Sequence, residues 1–380
     1  MNWLTSLFRS KRGQRFFADI EAELHEDTGY APVSRDTQTA IAELSQVAKD
    51  NPDAVEIYLA LGNLYRSHGE IERAVQIRQN LIVRPGIDEG IKAKAWYELG
   101  VDYKRSGFVD RALGAFEQAR KLEGDEPAII RELALLTADA GDYERAARNY
   151  AKLDNPIAQA HYTMRIAQEK FPEDATLALK WLKKALKTYP GSIEAWRERL
   201  LYDMREKDWT ALSKHLDKAL VQVEPALAFI LFEGIIAADL AEHSDDSFKS
   251  DLPFQYHPQE ALSQAVLKVL EKAEPDLLTQ FYAAWMAWGQ NKEESRKWLE
   301  RTLVLNQDFW PARLELLAIS MDDQPLSPAF RQQLEFFIQR ARKLKRFVCR
   351  KCGLKREQIF FECPRCHSWH SISYRAVINK

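Results

Sequence analysis

The feature that most constrains the fold of this chain is a spacing of residues that recurs along its first half. Within residues 58–65, a Leu-Gly pair stands three and four positions after a tyrosine, and residues 96–103 repeat this spacing after a tryptophan. A turn glycine and a small residue follow each stretch, and a third copy of these two continues the register: Gly69, Ala74, Gly107, Ala112, Gly141 and Ala146. Self-similarity at such a period predicts stacked repeats rather than unrelated amphipathic helices.

Each repeat is predicted to be a pair of antiparallel helices. We expect a small residue where the two helices cross, the role of Gly62 with Ala74 and of Gly100 with Ala112. The spacing resembles the tetratricopeptide repeat, a helix pair of about 34 residues. The second copy matches that pattern at seven positions: Trp96, Leu99, Gly100, Tyr103, Ala112, Phe116 and Ala119. The resemblance implies an all-α superhelical solenoid whose inner surface binds partners.

The period continues in weaker form further along the chain. The expected small, large and terminating residues of later repeats recur at Ala178, Leu182, Ala185, Pro190 and Trp196. Residues 285–289 and 297–305 predict one more helix–turn–helix, whereas the polar segment 244–258 predicts a loop or a broken repeat. We therefore predict a repeat solenoid over residues 31–325, with room for roughly eight units.

The concave face of such a solenoid is lined by a predictable set of helix positions. In this sequence those positions carry Asn63, Arg66, Lys94, Tyr97, Lys104, Arg105 and Arg131. A basic strip of this kind within an acidic body would fit an acidic peptide or loop of a partner protein. A solvated helix face, where lysine and arginine are common, is the alternative interpretation.

All four cysteines lie close together near the C-terminus, as two CxxC pairs: Cys349, Cys352, Cys363 and Cys366. The stretch between the pairs, residues 353–362, allows a hairpin that brings the second pair opposite the first, so that four thiolates can surround one metal ion. Gly353 suits the positive φ expected just after the first pair. We predict one metal ion per chain, either iron or zinc, because four thiolates accept both.

Other chemistry for these cysteines is less favoured. Disulfides would be spread through the fold of a secreted protein, and a thioredoxin-type pair needs a single CxxC in a βαβ unit. An iron-bound site could pass single electrons, but no partner cofactor motif accompanies it. His367 and His370 flank the last cysteine, and we predict that they are surface residues because four cysteines already complete the site.

The combination of these repeats with this cysteine module resembles the lipopolysaccharide assembly protein B (LapB) family. Residues 61–77 and 347–369 carry the resemblance. It implies a rubredoxin-like domain over residues 347–380 with Cys349, Cys352, Cys363 and Cys366 as metal ligands. It also implies a non-enzymatic adaptor between the membrane protease FtsH and the deacetylase LpxC. Members of that family begin with a transmembrane helix, and residues 1–17 of this chain depart from that pattern.

Charge is unevenly distributed along the chain. Residues 331–380 hold 13 Lys+Arg and 3 Asp+Glu, a net charge of +10, whereas residues 1–330 have a net charge of −12. Residues 340–356 contain nine basic and no acidic residues, so nucleic-acid binding through the metal domain is the alternative function. The chain contains no HExxH, GxSxG, P-loop or GxGxxG motif, which favours a scaffold over an enzyme.

We predict an amphipathic N-terminal segment over residues 1–30, whose first 17 residues carry four basic and no acidic side chains. Its bulky apolar and basic side chains lie in one short stretch: Trp3, Leu4, Leu7, Phe8, Arg9, Lys11, Arg12 and Arg15. This composition suits peripheral contact with anionic lipid, and a frayed terminus is the alternative. Without a signal peptide or an apolar run of about 18 residues, we expect a cytoplasmic protein, peripheral at most on the inner membrane.

A connecting helix is predicted over residues 326–346, with Ser327-Pro328 as its N-cap and first residue. Its apolar residues recur at helical spacing: Phe330, Leu334, Phe337, Ile338, Ala341 and Leu344. We expect this stripe to dock the helix onto the last repeat and so hold the metal domain against the solenoid.

Overall fold

The computed structural model describes residues 35–51, 54–243, 257–274, 276–342 and 346–375. The predicted N-terminal segment 1–30, most of the predicted loop 244–258 and residues 343–345 and 376–380 lie outside the described residues. The described chain is mainly helical, which confirms the predicted all-α repeat fold, and its few strands lie near the C-terminus. The chain divides into two compact units, residues 1–142 and residues 143–380.

The first unit contains six described helices: α1 Arg35–Asp50, α2 Val55–Ser67, α3 Ile71–Ile82, α4 Glu89–Arg105, α5 Val109–Glu123 and α6 Pro127–Asp139. Leu59, Leu81, Ala95 and Leu99 form the centre of its core, where successive helix pairs pack together. Since each helix pair cannot bury its apolar face alone, the stacking of neighbours supplies the core.

The repeat glycines lie where the two helices of a pair approach most closely. A Cβ on Gly100 would lie 2.8 Å from the Phe116 ring, and a Cβ on Gly62 would lie 2.6 Å from Cζ of Arg78. Ala74 is fully buried, as the repeat pattern requires. The side chain nearest to each glycine, however, lies four positions after the alanine: Arg78 follows Ala74, and Phe116 follows Ala112. Arg78 thus occupies in the first copy the place that Phe116 takes in the second.

The second unit contains eleven described helices: α7 Tyr143–Lys152, α8 Pro156–Lys170, α9 Ala175–Thr188, α10 Ile193–Arg205, α11 Trp209–Gln222, α12 Phe229–His243, α13 Glu260–Leu270, α14 Leu277–Trp288, α15 Lys292–Leu305, α16 Trp310–Asp323 and α17 Pro328–Arg342. A 3₁₀ turn at Pro225–Leu227 precedes α12. Helices α14 and α15 form the helix–turn–helix that was predicted around residues 285–305. None of the helices in the described ranges combines the length and apolar character of a membrane span.

Two helices of the second unit have stretches that are buried on every side. The first four residues of α12 are fully buried, and residues 280–288 of α14 are all buried as well. A helix that is apolar all round must be covered on every face. Part of that cover comes from the C-terminal strands, because Phe347 and Tyr374 belong to the same apolar core as α12 and α14.

The C-terminal strands form a small antiparallel sheet in the order β2–β1–β3. Strand β1 is Phe347–Cys349, β2 is Lys355–Arg356 and β3 is Ile372–Tyr374. Phe347 pairs with Tyr374 and Cys349 with Ile372. The sheet therefore places one cysteine and two aromatic side chains at the junction between the cysteine module and the helices.

The connecting helix α17 lies within residues 326–346, but only part of its predicted docking stripe is covered. The Ser327 hydroxyl accepts a hydrogen bond from the backbone N–H of Phe330, as an N-cap should. Ile338 is buried, whereas Phe330 and Phe337 are more than half exposed. Helical periodicity identifies an apolar stripe, but it does not say which part of that stripe a neighbour covers.

Candidate metal centre and its contacts with the repeats

The four cysteines predicted as metal ligands lie together in the structure. Their sulfur atoms are all within 4.8 Å of one another. Cys349 Sγ lies 3.7 Å from Cys366 Sγ, and Cys352 Sγ lies 3.6 Å from Cys363 Sγ. A tetrahedral zinc ion with bonds of about 2.3 Å requires sulfurs roughly 3.8 Å apart, whereas a disulfide requires about 2.05 Å. The arrangement therefore fits four thiolates around one metal ion.

Two turns of the same design hold the two cysteine pairs. In the first, the backbone N–H of Gly353 donates to the Cys349 carbonyl at 2.9 Å, and in the second His367 N–H donates to the Cys363 carbonyl at 2.8 Å. The residue that ends each turn has a positive φ, 72° at Gly353 and 52° at His367. The sequence predicted the first of these from its glycine, but a histidine gives no comparable signal for the second.

Hydrogen bonds around the sulfurs favour thiolates at two positions. Burial raises the pKa of Cys349, but the Ser371 hydroxyl, 3.3 Å from its sulfur, and nearby backbone N–H groups outweigh burial and lower the pKa to about 6. The hydroxyl of Ser368, 3.3 Å from Cys366 Sγ, lowers the pKa of that thiol. Such donors stabilise the anionic form that a metal ion needs.

A buried hydrogen-bonded contact joins the cysteine module to the repeats, and sequence reasoning missed it. His370 is only 6% exposed, so the prediction that it is a surface residue is wrong, while His367 is exposed as predicted. Nε2 of His370 lies 3.0 Å from both carboxylate oxygens of Glu194, which is at the start of α10. His161 of α8 approaches the same carboxylate at 3.1 Å. The Glu194 carboxylate is therefore hydrogen-bonded to two imidazole rings, which come from different parts of the second unit.

The two imidazoles control the ionisation of Glu194. Burial raises the pKa of this carboxyl, but hydrogen bonds and charge from His161 and His370 outweigh burial and bring its pKa to about 2. A buried carboxylate is tolerated only when it is paired in this way. The sequence alone could not reveal the pair, because Glu194 and His370 lie in distant parts of the chain.

Two arginines of the basic tail form further ion pairs with the repeats. Arg350 donates to both oxygens of Glu224, at 2.7 and 3.3 Å. Arg346 donates to both oxygens of Glu233 on α12, at 2.9 and 3.2 Å, and Tyr282 of α14 donates to the same carboxylate. Burial lowers the pKa of Arg346, but Glu233 outweighs burial and raises it. The contacts between the basic tail and the acidic body are therefore local and bidentate.

Aromatic contacts cover the rest of this junction. Trp369 packs edge-on against Tyr150 of α7 and Tyr162 of α8, with ring centres 6.2 and 6.0 Å apart. The turn that carries the second cysteine pair is therefore in contact with the first helices of the second unit.

The sheet makes aromatic contacts of its own. Phe347 stacks on Phe229 with ring centres 5.5 Å apart. Tyr374 contacts three further rings, those of Phe229, Phe281 and Phe309. The cysteine module is thus seated on the second unit through its own sheet and turns, rather than through α17.

Two of the predicted partner-binding residues are engaged within the first unit. Arg66 pairs with Glu98 at 2.6 Å and with Asp102 at 3.0 Å. The side-chain oxygen of Asn63 accepts hydrogen bonds from Arg66 at 2.9 Å and from Arg78 at 2.5 Å. The positive charge of Arg66 is therefore balanced by carboxylates of the next repeat.

The other five predicted residues are more accessible. Lys104 pairs with Glu132 at 2.8 Å, and the ring of Tyr97 contacts Phe116 edge-on. The remaining three are exposed: Lys94, Arg105 and Arg131. Partner binding by this strip stays a prediction, which now concerns mainly these exposed cations.

Comparison with known proteins agrees with this architecture. A family model described as tetratricopeptide repeat matches residues 33–81 and 97–162. Lipopolysaccharide assembly protein B of Escherichia coli K12 is 21% identical over 373 residues, covering 90% of this chain and 86% of that protein. This chain carries tetratricopeptide repeats and resembles LapB. The LapB of Haemophilus influenzae is 23% identical, covering 83% of this chain and 78% of that protein.

Among solved structures, a tetratricopeptide repeat protein from Parabacteroides merdae is similar to this chain. It is 14% identical and aligns at a TM-score of 0.33, over 70% of this chain and 98% of that one. The LapB resemblance drawn from residues 61–77 and 347–369 is confirmed by the sequence alignment along most of the chain.

Proposed function

We propose that this chain is a non-enzymatic adaptor that binds partner proteins through its repeats and regulates lipopolysaccharide biosynthesis. The observation that carries the proposal is the likeness to LapB along 90% of the chain, together with the four-cysteine cluster. By the same resemblance, the partners are the protease FtsH and the deacetylase LpxC, and binding hastens LpxC degradation. The adaptor works in the cytoplasm, beside the inner membrane.

The metal ion has a structural role in this proposal. Cys349, Cys352, Cys363 and Cys366 would hold one iron or zinc ion, which fixes two turns that have little core of their own. Those turns carry Arg350, His370 and Trp369 to the repeats. The bound metal ion would therefore hold the cysteine module against the repeats of the second unit, and it would take part in no reaction.

The exposed cations of the first unit are the proposed site for an acidic partner segment. Lys94, Arg105 and Arg131 lie on helices α4 and α6, the first helices of successive repeats, which line the inner surface in this type of fold. The nucleic-acid alternative is less favoured, because Arg346 and Arg350 of the basic tail are already paired with carboxylates.

The half-life of LpxC in cells tests the proposal. In a strain that lacks this chain, we expect LpxC to persist longer, and wild-type protein to restore fast, FtsH-dependent turnover. Arg105→Glu combined with Arg131→Glu should fail to restore it. The matched control reverses two exposed cations of α9, Lys180→Glu with Lys183→Glu, and should restore turnover fully. Unchanged LpxC half-life in the deletion strain would reject the proposed function.

A further inference from the structure

Helix α17 exposes an aromatic face that no element of the described chain covers. Phe330 is 54%, Phe336 58% and Phe337 63% exposed, although large apolar side chains are usually withdrawn from water. The rings of Phe336 and Phe337 contact each other edge-on at 5.7 Å. Three exposed phenylalanines on one helix indicate an interaction surface rather than isolated surface residues.

The arrangement of this face is set by helical geometry. At about 100° per residue, six side chains share an arc of roughly 120°: Phe336, Ala329, Arg340, Gln333, Phe337 and Phe330. Glu335 and the buried Ile338 point to the opposite side of the helix. A cation therefore lies among the aromatic rings, and the one acidic residue of α17 lies away from them.

The positive charge on and beside this face determines which kind of binding partner it fits. Over positions 336–356 the sequence has nine Lys/Arg and no Asp or Glu. A second copy of the helix would bring Arg340 and its basic neighbours against themselves, and residues 1–17 carry four basic and no acidic side chains. The complementary occupant is consequently anionic, and it must also accept phenylalanine rings.

We propose that the aromatic face of α17 binds the surface of a membrane that contains anionic lipids. Phe336, Phe337 and Phe330 are spread over an arc of roughly 120°, and such a broad face suits a planar apolar layer better than a groove in a protein. The rings would insert at the level of the headgroups, with Arg340 among the lipid phosphates. The net charge of −12 on residues 1–330 would keep the rest of the chain away from that surface.

Binding of the full-length, metal-loaded chain to lipid vesicles tests this proposal, which stands whether or not the adaptor function holds. We expect co-sedimentation with vesicles of phosphatidylcholine mixed with phosphatidylglycerol, little with phosphatidylcholine alone, and weaker binding at high salt. Phe336→Ser combined with Phe337→Ser should lower the partition coefficient roughly tenfold, because two rings lose their burial in lipid. Since both rings are exposed, this variant should unfold at the wild-type temperature.

Two controls separate this surface from others. Val83→Ser combined with Val221→Ser removes two apolar side chains elsewhere that are more exposed still, and it should leave binding unchanged. Leu4→Ser combined with Phe8→Ser alters the N-terminal segment, and the dependence on Phe336 and Phe337 should persist in that background. Absence of wild-type binding to anionic vesicles would overturn the proposal, even if an acidic protein were captured instead. Equal binding by the Phe336→Ser and Phe337→Ser variant would overturn it as well.

Discussion

At the scale of single residues, Glu194 is a buried carboxylate that joins the cysteine module to the repeats. It is 1% exposed and accepts hydrogen bonds from both His161 and His370. The clustering of the four cysteines was predictable because two CxxC pairs at this spacing have few other uses. The Glu194 contacts were not, because a lone glutamate in a repeat helix looks like any solvated residue.

Replacing Glu194 with Gln should destabilise the second unit by about 2–3 kcal/mol, because two hydrogen bonds lose their charged acceptor. Metal content should stay at one ion per chain, since no cysteine changes. Glu173→Gln, an exposed carboxylate that pairs with Lys170, is the control and should change the free energy of unfolding by less than about 0.5 kcal/mol.

The stability difference between the wild type and the Glu194→Gln variant should also depend on pH. The pKa of Glu194 is about 2 in the folded chain and about 4.5 when unfolded, so the unfolded state binds more protons between those values. Its contribution is complete above about pH 4.5 and is lost as the pH falls towards 2. The stability difference between wild type and Glu194→Gln should shrink over that window, and a difference that is constant with pH would contradict this account.

At the scale of elements, the repeat glycines show what a sequence pattern can and cannot specify. The pattern correctly predicted a close helix crossing at Gly62 and Gly100. It did not predict that a buried arginine, Arg78, would fill the first crossing where Phe116 fills the second. Likewise the periodicity of α17 predicted the helix itself, but not the exposure of its phenylalanines. Local spacing determines elements, whereas the partner of each face depends on distant residues.

Gly100→Ala should destabilise the first unit by about 1–3 kcal/mol, because the added methyl group would lie 2.8 Å from the fully buried Phe116 ring. Gly114→Ala is the matched control. That glycine lies in α5 with no atom within 4 Å of the place an added methyl group would take, so alanine should stabilise the helix by about 0.5–1 kcal/mol. Chemical denaturation of both variants measures the two effects, and equal signs would contradict the crossing geometry.

At the scale of the whole molecule, the later repeats and the cysteine module form one compact unit, residues 143–380. The sequence predicted both modules, because the repeat period and the cysteine spacing are local properties. It assigned the attachment to α17, whereas the structure places it on Arg346, Arg350, Trp369 and His370. The burial of α12 and α14 then depends on side chains from the module that carries the four-cysteine cluster.

Hydrogen exchange with and without the metal tests this dependence most directly. Removal of the metal with a chelator should release the cysteine module, uncover Phe229, Phe281 and Phe309, and raise amide exchange in α12 and α14. Exchange in α2 to α5 of the first unit should not change, which makes those helices the internal control. If exchange rises only within residues 346–375, or nowhere, the metal does not support the repeats and the account of one joint unit is contradicted.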